Sequence, residues 1–340
     1  MSRTEGPCAC FIQIRRFPRH RSTPFILSAY SLENALLPYI HLGPLEIPTF
    51  GLLMVLAFAA SYFALEAEIV RRKLGFTPAD LALLAEDKSR KLMKLDPYTI
   101  VAVVAFAGII GAKIWHIVDT PADRLTLDTL KSFGAFFVWL RGGFAWFGGF
   151  VAGIAALLVI ARQNRINMLT MLDLCSPAAA IGYAVGRIGC LISGDGDYGK
   201  PTNLPWGMSF PDGLVPTTQT CGQAIDALHP HGWPVACAVH PTPIYEFIAC
   251  VLLGWYVWHL GSRIKPLPPG VIVGEFLILF GVERFLVEFI RINPRIFLGM
   301  SNAQVAALLT VFAGMVLLAV AWSSARKARQ ISSDHSISAS

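Results

Sequence analysis

The 340-residue sequence predicts an all-α polytopic membrane protein, with about seven transmembrane helices and an outward-facing loop or head region. Three observations carry this prediction. The first is composition: 54% of residues are hydrophobic, only 15% are charged, and the mean hydropathy is +0.56. A soluble domain carries about 25% charged residues and needs them to cover its surface. The second is run length: most of the apolar runs reach the roughly 20 residues that cross about 30 Å of hydrocarbon. The third is pattern. The runs are unbroken rather than alternating, which excludes a β-barrel and leaves helices to pair every backbone polar group in lipid.

Residues 1–39 read as an N-terminal extension, expected to be disordered. Basic residues occupy its middle, and no long apolar core precedes a small-residue cleavage site, so it does not read as a normal signal peptide. Spans then follow near Thr49–Val70, Pro97–Val118, Phe144–Ala161, Met168–Ile192, Ile244–Leu260, Val271–Ile290 and Val305–Trp322. Together they make a membrane domain over residues 40–325. Its longest non-apolar insertion, 193–243, is rich in Pro and Gly ("GKPTNLPWGMSFPDGLVPTT"). A loop of this length in a compact protein is functional when it is ordered, and Trp206, Met208 and Phe210 are expected to hold it at the membrane interface. Residues 326–340 read as a cytoplasmic tail whose polar end, Ser332–Ser340, is expected to be unstructured.

Lys and Arg set the orientation. With the first span entering from outside, the inner connections hold Arg71, Arg72, Lys73, Lys88, Arg90, Lys91 and Lys94, and later Arg162, Arg165, Arg263, Lys265, Arg326, Lys327 and Arg329. The outer connections hold fewer: Arg124, Lys131, Arg141, Lys200, Arg291 and Arg295. The arginines of the N-terminal extension weigh the other way. The expected topology is N-terminus out and C-terminus in. The formal charge of +6 needs no nucleic acid, because basic inner loops facing anionic headgroups account for it. Among the cysteines, Cys175, Cys190 and Cys250 fall in spans and read as packing residues. Cys221 and Cys237 share the long outer loop, where an oxidising compartment permits a disulfide or leaves two thiols.

Ionisable residues inside spans are costly and point to function. Lys113, Arg187 and Arg284 lie on three different spans, all in the outer half of the bilayer. Three cations at similar depth suggest one shared anionic ligand, and in a membrane that is a phospholipid headgroup phosphate. Arg grips phosphate through its fork and Lys acts as a point charge. The alternative is that each cation pairs internally: Arg284 and Glu288 are spaced i,i+4 on one helix face, and Glu283 is available to neutralise another cation. Gly142, Gly143, Gly148 and Gly149 in "RGGFAWFGGF" serve either close backbone approach or helix packing. In "HPTPIYEF", His240, Tyr245 and Glu246 stand at the outer interface, with His240 either a general base or an interface histidine. No pattern calls for a metal or a cofactor.

Several stretches, in order and at matching spacing from about Tyr39 to Trp322, resemble the prolipoprotein diacylglyceryl transferase family. They are "IHLGPLEIPTFGLL", "GGFAWFGGF", "GRIGCLISGDGDYGKPTNLPWGMSFP", and "HPTPIYE" with "FGVERFLVEFIR". The stretch from Gly186 to Gly199 looks like the family signature. The resemblance implies a bacterial inner-membrane enzyme. It would move the diacylglyceryl group of phosphatidylglycerol to the lipobox cysteine of a prolipoprotein signal peptide, releasing glycerol phosphate. The partners implied are phosphatidylglycerol, prolipoprotein signal peptides and membrane lipids. The acceptor brings its own thiol, so the enzyme needs no nucleophile.

Carried over by position, Arg187 matches the signature arginine, Arg284 with Glu288 the late arginine and glutamate, and Gly199 the closing glycine. Lys113 matches a position the family fills with a basic residue. The sequence also departs from the family. Phe147 stands where a histidine is usual, Phe50 and Phe280 where tyrosines are usual, and Cys190 and Ser193 where asparagines are usual. With the histidine gone, the base falls to Asp195 or Asp197 in a turn one residue longer than usual, or to His240; Asp195 is the first choice. The expected site is therefore Arg187, Arg284 and Asp195 for catalysis, with Lys113, Gly142, Gly143, Gly199, His240, Tyr245, Glu246 and Glu288 for binding. Two rival readings keep the cations: a non-catalytic phospholipid-binding paralogue, and a transferase of the same fold with another acceptor. A transporter is disfavoured, because no paired broken helices suggest alternating access.

Overall fold

The computed structural model describes residues 37–42, 45–74, 95–119, 146–223, 237–262 and 267–338. A short antiparallel hairpin, β1 (Tyr39–Leu42) and β2 (Leu45–Pro48), leads into helix α1 (Thr49–Arg71). There follow α2 (Pro97–Asp119), α3 (Trp146–Gln163), α4 (Met168–Ser193), a short α5 (Thr217–Gln223), α6 (Thr242–Gly261) and α7 (Val271–Val287). A second hairpin, β3 (Arg295–Phe297) with β4 (Met300–Ser301), precedes α8 (Asn302–Ser338).

Each expected span is a helix. α1, α2, α4, α6 and α8 are long and apolar enough to cross a membrane. α7 has 17 residues, about 25 Å of helix at 1.5 Å per residue, and lies at the short end of the spanning range. The protein is a multi-pass helical membrane protein. Two expectations change. The hairpins are additions to an otherwise helical chain. Residues 332–338, expected to be unstructured, are helical, since α8 runs on to Ser338. The segment "SSARKARQISS" contains no Gly or Pro, its Ala, Arg, Lys and Gln are good helix formers, and extending a helix costs far less than nucleating one.

Small residues let the helices approach closely. A Cβ on Gly111 of α2 would meet the carbonyl oxygen of Gly148 in α3 at 2.4 Å, and one on Gly148 would meet that of Gly111 at 2.2 Å. Gly148 thus serves packing, as small residues do at helix crossings in lipid. α1 runs antiparallel to α4, with Ser61 donating to the Ala178 carbonyl at 3.1 Å. At one end of the bundle, α1 and α6 finish while α4 and α7 begin. At the other, α4 and α7 finish while α6 begins. The outer loop folds over this second end around its own small core of Tyr198, Phe210, Cys221, Cys237 and Val239. Cys221 and Cys237 are joined as a disulfide. Phe210 lies in that core rather than at an interface, and only Trp206 of the three expected anchors is exposed.

Candidate active site

The ends of α4 and α7 and the start of α6 are tied together by one strip of chain. Helix α4 begins on Asn167, whose side chain accepts from the Leu169 N–H at 2.8 Å, and stops at Gly194, which adopts the left-handed conformation with φ of 58°. The chain then turns through Gly196, with φ of 90°, and runs as a bridge between two helices. Gly199 N–H donates to the His240 carbonyl at 2.8 Å, and Lys200 N–H to the Ile290 carbonyl at 2.7 Å. A Cβ on Gly199 would meet the Ile290 oxygen at 2.7 Å, so a glycine is required for the strip to fit between α6 and α7.

The strip closes a cluster of three arginines and three carboxylates. Glu246, in the first turns of α6, is fully buried and forms the hub. Tyr183 donates to its Oε2 at 2.7 Å, and Arg187 Nε lies 2.5 Å from the same oxygen, close but not aligned as a hydrogen bond. Arg284 and Arg291 place their Nη1 atoms 3.2 and 3.4 Å from Oε1. Arg187 also donates to Tyr183 Oη at 2.5 Å and lies over that ring, 4.7 Å from its centroid. Asp197 bridges Arg187 and Arg291 through its two oxygens. Glu288, at the end of α7, holds Arg284 at 3.0 Å and accepts from Asn293 at 2.6 Å and Ser301 at 2.7 Å. The three guanidiniums thus face three carboxylates and their charges balance, as buried charges require. Glu283, expected to neutralise a cation, forms no ion pair among the described residues, and both its carboxylate oxygens are buried without a hydrogen-bond partner.

The two aspartates of the turn have different surroundings. Asp195 accepts the Asp197 N–H at 3.2 Å, an Asx turn, and hydrogen-bonds the Cys190 thiol. Burial and the neighbouring Asp197 charge push its carboxyl above the ordinary value, so it gives up its proton at higher pH than a free aspartate. Burial also acts to raise Asp197, but the Arg291 and Arg187 guanidiniums outweigh it and hold this carboxyl down at about 2. His240 is pushed down by burial and then by the Lys200 charge, which favours its neutral imidazole. Its Nδ1 lies 3.3 Å from Tyr245 Oη, which accepts from Trp206 Nε1 at 2.8 Å. Cys190, Asp195 and Asp197 bring one sulfur and two oxygens within 4.8 Å of one another. Asp197 is committed to two arginines, however, and Arg187 lies 3.6 Å from the thiol, so the group is poorly suited to a cation.

A family model described as prolipoprotein diacylglyceryl transferase matches residues 38–320. The chain belongs to that family. Similar proteins named phosphatidylglycerol–prolipoprotein diacylglyceryl transferase include one from Geobacter sulfurreducens, 30% identical over 74% of this chain and 81% of its own length. Those from Nitrosospira multiformis and Cupriavidus metallidurans are 30% and 31% identical, over 83% and 77% of this chain and 85% and 82% of their own lengths.

Set beside the family's resemblance, the site keeps some expectations and revises others. Arg187, Arg284, Glu246 and Glu288 come together. Lys113 is buried on α2, a helix that packs against α3 and α1, and it takes no part in the described ion pairs of the cluster. The third cation is Arg291, which sequence reasoning placed in an outer loop and which is in fact buried. Its signal was present: it is spaced i+3 from Glu288 and i+7 from Arg284, on one helical face. Tyr183 was also missed, although it stands one turn before Arg187. Its hydroxyl reaches the site where Phe280 has none, and the two rings meet edge to face at 5.0 Å. Cys190, expected to be a packing residue, faces Arg187. Phe50 packs beside Gly189. Gly142, Gly143 and the Phe147 side chain lie outside the described residues.

Proposed function

We propose that this chain transfers the diacylglyceryl group of phosphatidylglycerol to the lipobox cysteine of a prolipoprotein signal peptide, the first step of lipoprotein maturation. The substrate thiol sulfur attacks the glyceryl carbon that carries the phosphate ester. The carbon–oxygen bond breaks, a thioether forms, and glycerol phosphate departs with the bonding electrons. Arg187 and Arg284, together with Arg291, hold the phosphate and stabilise the charge that grows on the leaving oxygen, where fixed donors in a dry site contribute most. Asp195 accepts the thiol proton, since a carboxylate with a raised pKa suits base work on a thiol. The strip at Gly199, with His240 and Tyr245, lines the mouth where lipid and peptide meet, and Glu246 and Glu288 aim the arginines. Lys113 and the glycines Gly142 and Gly143 belong to the lipid-binding side of the same reading.

The observation that carries the proposal is the convergence of Arg187, Arg284 and Arg291 on one hub, beside a turn with two aspartates, in a member of this family. The site end of the bundle then faces outward, where the acceptor arrives, with the N-terminus out and the C-terminus in. The test is complementation. A bacterium depleted of its own transferase expresses the wild type, Arg187→Ala or Arg284→Ala, and diacylglyceryl modification of a reporter lipoprotein is read by gel shift. Modification by the wild type and its loss in both variants is the expected result. No modification by a well-expressed wild type overturns the proposal. A reporter active only outside the cytoplasm, fused after Ser340, stays silent on this topology.

A further inference from the structure

The cluster has no spare positive charge. Its three guanidiniums are matched by Glu246, Glu288 and Asp197, so a phosphodiester entering as it stands would leave the buried cluster one negative charge in excess. A buried excess charge is costly, and one of the carboxylates has to give way.

The three are not equally able to do so. The Glu246 side chain is 0% exposed and takes the Tyr183 hydroxyl besides its arginines. Glu288 is 1% exposed and takes Asn293 and Ser301. Asp197 is 30% exposed, and its side chain has only Arg187 and Arg291 as described partners. It is also the one of the three that is not on a helix or helix cap. It follows a turn through Gly194 and Gly196, both at positive φ, and so lies in the loop between α4 and α5. Its carboxylate spans two guanidiniums with two oxygens, and the arginine fork offers a phosphate the same geometry.

We infer that Asp197 is an internal stand-in for the lipid phosphate: it pairs with Arg187 and Arg291 until phosphatidylglycerol binds and displaces it. This rests on the proposed function, and it gives the turn's second aspartate a role distinct from that of Asp195. Asp195 is the base, while Asp197 keeps the arginines paired and pointing at the phosphate position when no lipid is present. Because the lipid competes with an internal anion, part of its binding energy is spent on displacement, and removing the anion tightens binding.

The test measures binding of phosphatidylglycerol in mixed micelles to the purified full chain, without acceptor peptide, for the wild type, Asp197→Asn, Asp197→Ser and Arg187→Ala. Thermal unfolding of each is recorded in the same detergent. On this inference Asp197→Asn and Asp197→Ser bind the lipid about tenfold more tightly, the equivalent of about 1.4 kcal/mol, even where they unfold at lower temperature. Arg187→Ala binds more weakly. A merely structural Asp197 predicts the opposite sign, because a loosened cluster loses lipid affinity along with stability. Unchanged or weaker binding by both Asp197 variants, beside a wild type that binds, overturns the inference and leaves the proposed function standing. A wild type that does not bind phosphatidylglycerol overturns both.

Discussion

Two polar clusters close the two ends of the helix bundle, and they are built in opposite ways. At the end away from the site, Glu68 is fully buried and paired with Arg71 and Arg72, its neighbours at i+3 and i+4 on the same helix. Arg71 also caps the Gly261 carbonyl at the end of α6 and lies over the Trp258 ring at 5.2 Å. Asp173 accepts the N–H groups of Gly270 and Val273 at 2.7 Å each, which satisfies the start of α7 and places a carboxylate at its positive pole. Apart from the Trp258 ring, each of these contacts is within one helix turn or to backbone. At the site end, the contacts to Glu246 and Asp197 link residues 10 to 94 positions apart, and side chains meet side chains. The first arrangement terminates and staples helices. The second gathers charges from separate elements onto one spot, which a structural role alone does not require. The difference teaches that buried charge by itself does not mark a site; the number of independent elements that supply it does.

That comparison can be broken in several places. The largest effect is expected from Glu246→Ala, which leaves three buried guanidiniums without their hub. Stability should fall by about 3–5 kcal/mol, read as thermal unfolding in detergent, and activity should vanish. Arg187→Lys keeps the charge but not the fork. It should fold, yet turn over about 10²–10³-fold more slowly, the usual effect of losing one donor to a developing oxyanion. An equal loss on Arg71→Lys at the other end would erase the distinction drawn here. Reducing the Cys221–Cys237 disulfide should cost about 2–4 kcal/mol, and activity should fall with it, because the loop carrying that bridge also packs against the strip that closes the site.

Smaller effects sharpen the same contrast. Asp173→Asn weakens one helix start and should lower stability by about 1 kcal/mol, with activity per folded molecule unchanged. The pH profile addresses Asp195 alone. Its carboxyl lies above the ordinary aspartate value, and the base must be ionised, so kcat/KM should fall as pH drops through that raised value and level off above it. Asp195→Asn should abolish the acid limb together with most of the rate. An acid limb that persists in this variant assigns the base elsewhere, with His240 the next residue to test.

Much of the architecture was legible in the chain because lipid leaves few options. An apolar run of about 20 residues must be a helix, and its position follows from the run itself. For that reason the spans were placed within a few residues, from Thr49 to α7 at Val271. Arg187 and Arg284 were legible for the same reason: a cation inside such a run stands out. Lys113 stood out equally and lies on α2, which packs against α3 and α1; depth along a helix says nothing of which neighbour a side chain faces. Arg291 and Tyr183 were overlooked because one lies just past a span and the other is an ordinary residue within one. That Asp197 rather than Asp195 reaches the arginines depends on the turn through Gly194 and Gly196, which no spacing reveals.

The apolar runs alone establish a multi-pass helical membrane protein and the two arginines that its spans carry, because the penalty for burying polar groups in hydrocarbon acts residue by residue. Only the tertiary structure decided that Arg291 and Glu246 complete the cluster, that Asp197 rather than Asp195 pairs with it, and that its charges balance. Pairing energy depends on distance between groups from separate helices, and that distance exists only once α4, α6 and α7 are packed.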